Sequence, residues 1–309
     1  EMTTTQITDT ILMVRPAHFG YNAQTAGNNA FQTNDPALSP EEISAKAKDE
    51  FDAFVSKLRA AGVQVIVIDD TDEPLKHDAV FPNNWFSTHT DGAIITYPMY
   101  APMRRQERRE DVISKLQKRY GYNKRIALEN REEEDRFLEG TGSLILDRDN
   151  KIVYACRSIR TDEGLLDEFA LWMGYRKLLF ESYDANGLPI YHTNVMMALG
   201  TNFCVICLDT ITDAVQRREV TDQLAATGKD IIAITVEQME AFAGNMLQVK
   251  GSLDETYLVM SEQAYKSLSE DQVRQLELHT KLLYSPLDTI ESYGGGSARC
   301  MMAEIFPAE

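Results

Sequence analysis

Basic side chains are scarce: 31 lysines and arginines stand against 48 aspartates and glutamates, for a net charge of −17. A field of that sign repels phosphate backbones, and no basic arm or basic amphipathic helix overrides it, so nucleic acid is excluded as a partner. Long apolar runs are also missing. The longest, such as Val63 to Ile68 broken by Gln64, fall far short of the roughly 18 residues a bilayer span needs, and no membrane partner is expected. Cysteine is sparse at four in 309 residues, too few for a secreted disulfide scaffold, and a reduced, cytoplasmic protein is expected. The amino terminus has no positive region followed by an apolar run, and Met2 after Glu1 reads as a remnant of preparation rather than a processed signal. Sequence repeats, low-complexity tracts and Pro/Gly/Ser linkers are absent, so residues 1–309 are expected to form one domain. A chain of this length buries roughly three quarters of its unfolded surface without staples.

What is present is a recurring grammar. From Glu41 to Ala61, Ile43, Ala47, Phe51, Phe54, Val55 and Leu58 recur at helical spacing before Gly62, and the β-branched run Val63 to Asp69 follows as a buried strand. The same order returns in 161–174 then Lys177 to Phe180, in 213–227 then Asp230 to Thr235, and in Glu270 to Lys281 then Leu282 to Ser285. Strand pairs lie between, as in Gly142 to Asp147 with Lys151 to Cys156 across the polar turn 148–150. This predicts mixed α/β architecture with roughly five units. The charge runs RRQERR (104–109) and REEEDR (131–136) are expected to be solvated faces. Cys156, Cys204 and Cys207 sit in apolar runs as small core residues, and a strand would throw the Cys204/Cys207 pair to opposite faces, against a shared metal.

Four segments could carry chemistry. A triple glycine precedes Cys300 in YGGGSARCMM, where a loop without Cβ atoms would let a small molecule reach the thiol; the alternative is a tight turn and one more buried strand. His192 opens the run HTNVMM, and if it starts a strand, Asn194 shares its face. Glu139 stands before Gly140 and Gly142, with a surface turn as the alternative. Asn83 and Asn84 lie in the apolar frame FPNNWF, where a plain turn is again the alternative.

Together these segments resemble the guanidine-modifying enzymes of the pentein superfamily, which include arginine deiminase, dimethylarginine dimethylaminohydrolase and amidinotransferases. The resemblance is strongest to the citrulline-utilisation hydrolases, in Arg15–Pro16, Asn28–Asn29, FPNNW and HTNVMM. It implies a five-bladed α/β propeller of ββαβ units around a polar central pocket. It also implies Cys300 as nucleophile, His192 as general acid/base and Glu139 as the acidic residue that binds substrate N–H groups. Arg160 is similar to the arginine used near the substrate carboxylate, and Asn28, Asn29 and Arg15 are implied substrate contacts. No metal or other cofactor is implied.

Where deiminases carry aspartates, this sequence has Asn84 and Asn194. Buried carboxylates suit a guanidinium, but facing an uncharged ureido group each would cost several kcal/mol or take up a proton. Carboxamides avoid that and offer both N–H donors and an acceptor. The expected activity is cysteine-dependent hydrolysis of a non-peptide C–N bond, with citrulline, a product of arginine metabolism, going to ornithine, ammonia and carbon dioxide through a covalent adduct. The alternatives are an arginine deiminase or dihydrolase-type guanidine hydrolase, and a non-catalytic pentein binding protein. An ordinary cysteine, with a pKa of about 8.5, is mostly protonated at pH 7, so local stabilisation of the thiolate is required. The expected partner is a small-molecule substrate; a homodimer is left open.

Overall fold

The computed structural model describes residues 5–309, so the reading of Glu1–Met2 lies outside the described residues. Among the described residues, fifteen strands form five three-stranded sheets. In chain order the strands are β1 (Thr10–Arg15), β2 (Gln64–Asp69), β3 (Phe86–Thr88), β4 (Ala93–Thr96), β5 (Lys124–Ala127), β6 (Ile145–Asp147), β7 (Ile152–Cys156), β8 (Arg176–Phe180), β9 (Met197–Leu199), β10 (Phe203–Ile206), β11 (Asp230–Ala233), β12 (Leu247–Lys250), β13 (Thr256–Ser261), β14 (Lys281–Ser285) and β15 (Ala303–Glu304). In every sheet a middle strand pairs antiparallel on one side and parallel on the other. The parallel neighbour is reached through a helix, as a parallel crossover requires. This is the five-bladed α/β propeller.

The helices follow their sequence signals. Pro40–Ala60 begins with a capping box, Ser39 on the Glu42 N–H and Glu42 on the Ser39 N–H, and buries Ile43, Ala47, Phe51, Phe54, Val55 and Leu58. Glu163–Met173 is capped by Asp162, and Ala214–Ala226 by Asp213. The fourth expected helix stops at Glu277, and its strand starts early, at Lys281. The expected strand from Gly142 is also corrected: Gly140–Ser143 is a helical turn and β6 begins at Ile145.

One blade is made from both chain ends. β1 takes β2 as its parallel neighbour and β15 as its antiparallel one, through Ile11 opposite Glu304 and Leu12 opposite Ala303. Thr8 Oγ1 bonds the Ile305 carbonyl at 2.6 Å, the Tyr122 hydroxyl bonds the Phe306 carbonyl at 2.6 Å, and Ile305 and Phe306 are buried. This closure brings the segment holding Cys300 into the ring. Among the described residues no helix is long and apolar enough to cross a membrane. Deleting residues 303–309 should remove β15 together with buried Ile305 and Phe306, a loss of at least about 5 kcal/mol on large-to-small core costs, read as a lower urea midpoint.

Candidate active site

Each blade is entered through a short segment that leads into its first strand. These segments are Pro82–Asn84 before β3, Gly140–Ser143 before β6, Thr193–Val195 before β9, 242–246 before β12 and Ala298–Met301 before β15. From these five places come Asn84, Glu139, His192 with Asn194, Asn245, and Cys300. The repeat missing from the sequence is thus a repeat of position in the fold. A small, narrow cavity is lined by Asp78, Asn84, Arg104, Arg160, His192 and Cys300 among others. Thr25 and Asn29, from the 22–32 segment, complete its wall.

His192 does not start a strand; it caps a 3-10 turn, and Cys300 likewise lies within one. The turn nonetheless delivers both His192 and Asn194 to the site. His192 Nε2 lies 2.7 Å from Glu139 Oε1, so Nε2 carries the proton and Nδ1 keeps a lone pair that finds no partner among the described residues. Burial pushes the imidazole down to about 4, against the pull of Glu139. Burial would raise Glu139, but the charge of Arg160 and the contact with His192 bring it down to about 2. At neutral pH the pair is therefore a carboxylate holding an uncharged imidazole, ready to accept a proton at Nδ1.

Cys300 Sγ is met by two carboxamides, Asn194 Nδ2 and Asn245 Nδ2, each at 3.4 Å. Asn84 is already engaged: its Nδ2 donates to Asn83 Oδ1 at 2.9 Å and its Oδ1 accepts from Arg104 at 2.8 Å. Asn83, bonded to Thr141 Oγ1, does not line the cavity and acts by holding Asn84. Arg160 pairs with Glu139 at 3.5 Å, donates to Asn28 Oδ1 through Nε at 2.9 Å and lies over the Tyr191 ring. Asn29 donates to the Gly294 and Gly295 carbonyls. Arg15 is not brought to the cavity. It ends β1 in a half-exposed ion pair with Asp52 at 2.9 Å.

Two features depart from the sequence reading. RRQERR is not a solvated face: Arg104 and Glu107 are buried as an ion pair at 2.9 Å, and Arg105 and Arg108 are half-buried against Glu132. In REEEDR, residues 133–135 are exposed as expected. The cavity also retains a carboxylate, Asp78, whose Oδ2 accepts from Asn22 at 3.0 Å and whose Oδ1 is unpartnered among the described residues. Burial raises its pKa, partly offset by Arg104. The pocket is therefore not emptied of anions. Asn245, Arg104 and Asp78 were missed; the only sequence signal for Asn245 was an asparagine just ahead of an apolar strand, as in FPNNW and HTNVMM.

The chain matches the family described as N,N dimethylarginine dimethylhydrolase, eukaryotic, over residues 15–307. It belongs to that family. With it the chain falls in the pentein superfamily and among the hydrolases of non-peptide C–N bonds. The N-terminal domain of ArgZ, an arginine dihydrolase from the ornithine-ammonia cycle in cyanobacteria, bound to substrate, is similar at 18% identity and a TM-score of 0.74, covering 97% of this chain and 98% of that one. Against full-length ArgZ the figures are 17% and 0.74, and the chain spans 41% of its length. A dimethylarginine dimethylaminohydrolase in adduct with S-methyl-L-thiocitrulline gives 15% identity and a TM-score of 0.65, covering 96% of this chain and 99% of that one. At such identities these likenesses carry the fold. No curated protein matches significantly.

Gly142 and His192 generate two predictions. A Cβ on Gly142 would lie 2.6 Å from Asn84 Nδ2 and 2.8 Å from His192 Nδ1. Gly142→Ala should lower kcat/KM by about 10²-fold or more, the scale of general acid–base catalysis, with near-native circular dichroism. Because burial holds the imidazole near pKa 4, kcat/KM should stay level from pH 7 to about 5 and fall below that; a limb centred near 6.5 would show a solvated His192.

Proposed function

We propose that the chain hydrolyses the C–N bond joining the ureido carbon to the side chain of an arginine-type amino acid, with citrulline as substrate and ornithine, ammonia and carbon dioxide as products. One observation carries the substrate class. Three buried polar atoms in or beside the cavity lack partners among the described residues, and each accepts hydrogen bonds: Asp78 Oδ1, Asn194 Oδ1 and His192 Nδ1. Buried acceptors left unpaired cost about 1–3 kcal/mol each. A ligand rich in N–H groups relieves that cost, and ureido and guanidino groups are such ligands.

His192 Nδ1 takes the thiol proton, and Cys300 Sγ attacks the ureido carbon. The carbon–nitrogen bond to the side chain then breaks as His192 returns the proton to the departing amine, leaving ornithine and a carbamoyl group on sulfur. Water, deprotonated by the same imidazole, attacks the carbonyl, the C–S bond breaks and carbamate leaves, decomposing to ammonia and carbon dioxide. Glu139 stays ionised and holds the imidazolium when it forms. The groups at the sulfur, Asn194 and Asn245, are neutral, which supports a neutral reacting group.

A second reading, arginine itself, is favoured by two observations. The solved relatives are named for guanidino substrates, and Asp78 is a carboxylate with a free oxygen in the cavity, which suits a guanidinium. On that reading the site acts twice, displacing ammonia first and then passing through citrulline. Purified protein assayed with citrulline, arginine, agmatine and methylarginines separates them. Citrulline as sole substrate should give ornithine and ammonia at 1:1. Turnover of arginine with two ammonia per ornithine would establish the dihydrolase; arginine stopping at citrulline would establish a deiminase. Cys300→Ala should reduce turnover to background, and residual activity there would overturn the covalent scheme.

A further inference from the structure

Asn245 lies outside every motif that pointed to this site, yet its side chain is tied to the nucleophile at both ends. It is buried, in the 242–246 segment ahead of β12. Its Oδ1 accepts from the backbone N–H of Arg299 at 3.1 Å and of Cys300 at 3.4 Å. Its Nδ2 donates to the Asn194 carbonyl at 2.9 Å and to Cys300 Sγ at 3.4 Å. Backbone donors and acceptors have fixed polarity, so the amide cannot be flipped without breaking all three backbone bonds. The sulfur therefore faces an N–H group. Gly244 keeps this segment pressed on the neighbouring turn, since a Cβ there would lie 2.2 Å from the Val195 carbonyl oxygen.

No lysine or arginine nitrogen hydrogen-bonds Sγ among the described residues, and the imidazole beside the site is uncharged at neutral pH. Charge-assisted stabilisation from the usual cationic neighbours is thus missing, and the sulfur is met by two amide N–H groups. We propose that Asn245 is a catalytic residue: it stabilises the Cys300 thiolate by an N–H to sulfur hydrogen bond while its oxygen fixes the turn that presents the sulfur. A thiolate accepts such a bond more strongly than a thiol, because the acceptor carries full charge. Asn194 supplies the second donor. The proposal rests on Cys300 being the nucleophile.

Asn245→Asp keeps the oxygen that accepts from the backbone of residues 299 and 300 but replaces the donor with an anion; Asn245→Ala removes both. Iodoacetamide labelling of Cys300, followed on its peptide by mass spectrometry, reads thiolate formation without needing a substrate. Both variants should react about tenfold or more slowly than wild type at pH 7, the range expected for a lost hydrogen bond to a charged group. The gap should close at pH 10. Equal rates at pH 7, or a deficit of the same size at every pH, would overturn the thiolate role; thermal melts identify a variant that has lost its fold, leaving the other to decide. Labelling of wild type that leaves turnover intact would instead sink the nucleophile assignment and leave the measured contact untouched.

Discussion

The site depends on turns from different blades approaching one another closely enough that backbone touches backbone. A Cβ on Gly140 would sit 2.2 Å from the Asn83 carbonyl oxygen, and one on Gly244 equally close to that of Val195. With side chains excluded from these crossings, short residues reach one another across blade boundaries: Glu139 reaches His192, Asn83 reaches Thr141 and Asn245 reaches Cys300. Closure of β15 onto β1 holds the last of these turns in place. Loosening any crossing by an ångström would disconnect the chemistry while leaving each blade intact, because each sheet is held by its own ladder.

The second organising fact is electrostatic. The centre of the ring buries two ion pairs, Arg104 with Glu107 and Arg160 with Glu139. Buried pairs recover their desolvation cost only with good geometry and further hydrogen bonds. Both arginines have such bonds, Arg104 to Asn84 and the Phe81 carbonyl, Arg160 to Asn28 and the Thr25 carbonyl. In or beside the cavity, Asp78 Oδ1, Asn194 Oδ1 and His192 Nδ1 are acceptors left unpaired among the described residues. Recognition and catalysis draw on that same imbalance: N–H groups of a ligand satisfy it, and an uncharged imidazole with a free lone pair is itself one of the acceptors.

The division between legible and illegible residues follows from range. His192, Glu139, Asn84 and Cys300 were legible because each sits in a short motif whose spacing is local; the structure places His192, Asn84 and Cys300 on one cavity and Glu139 behind His192. Arg104 was misread because mixed charges at short spacing normally favour water; what buries it is Glu107 together with Asn84 twenty residues earlier. Arg15 was misplaced because a dipeptide resemblance carries no information on direction, and at the end of β1 its side chain meets Asp52 instead. Asn245 had only a weak local signature, since its partners at residues 194, 299 and 300 are far away along the chain.

By itself the sequence determined the class of architecture, the alternation of helices and strands and the cluster of reactive side chains, because periodicity, capping and motif spacing act over a few residues. Tertiary structure alone decided which polar groups meet, which charges are buried and which acceptors are left open. Those outcomes depend on the packing of turns separated by as many as 266 residues, where an ångström in one crossing changes whether a hydrogen bond exists.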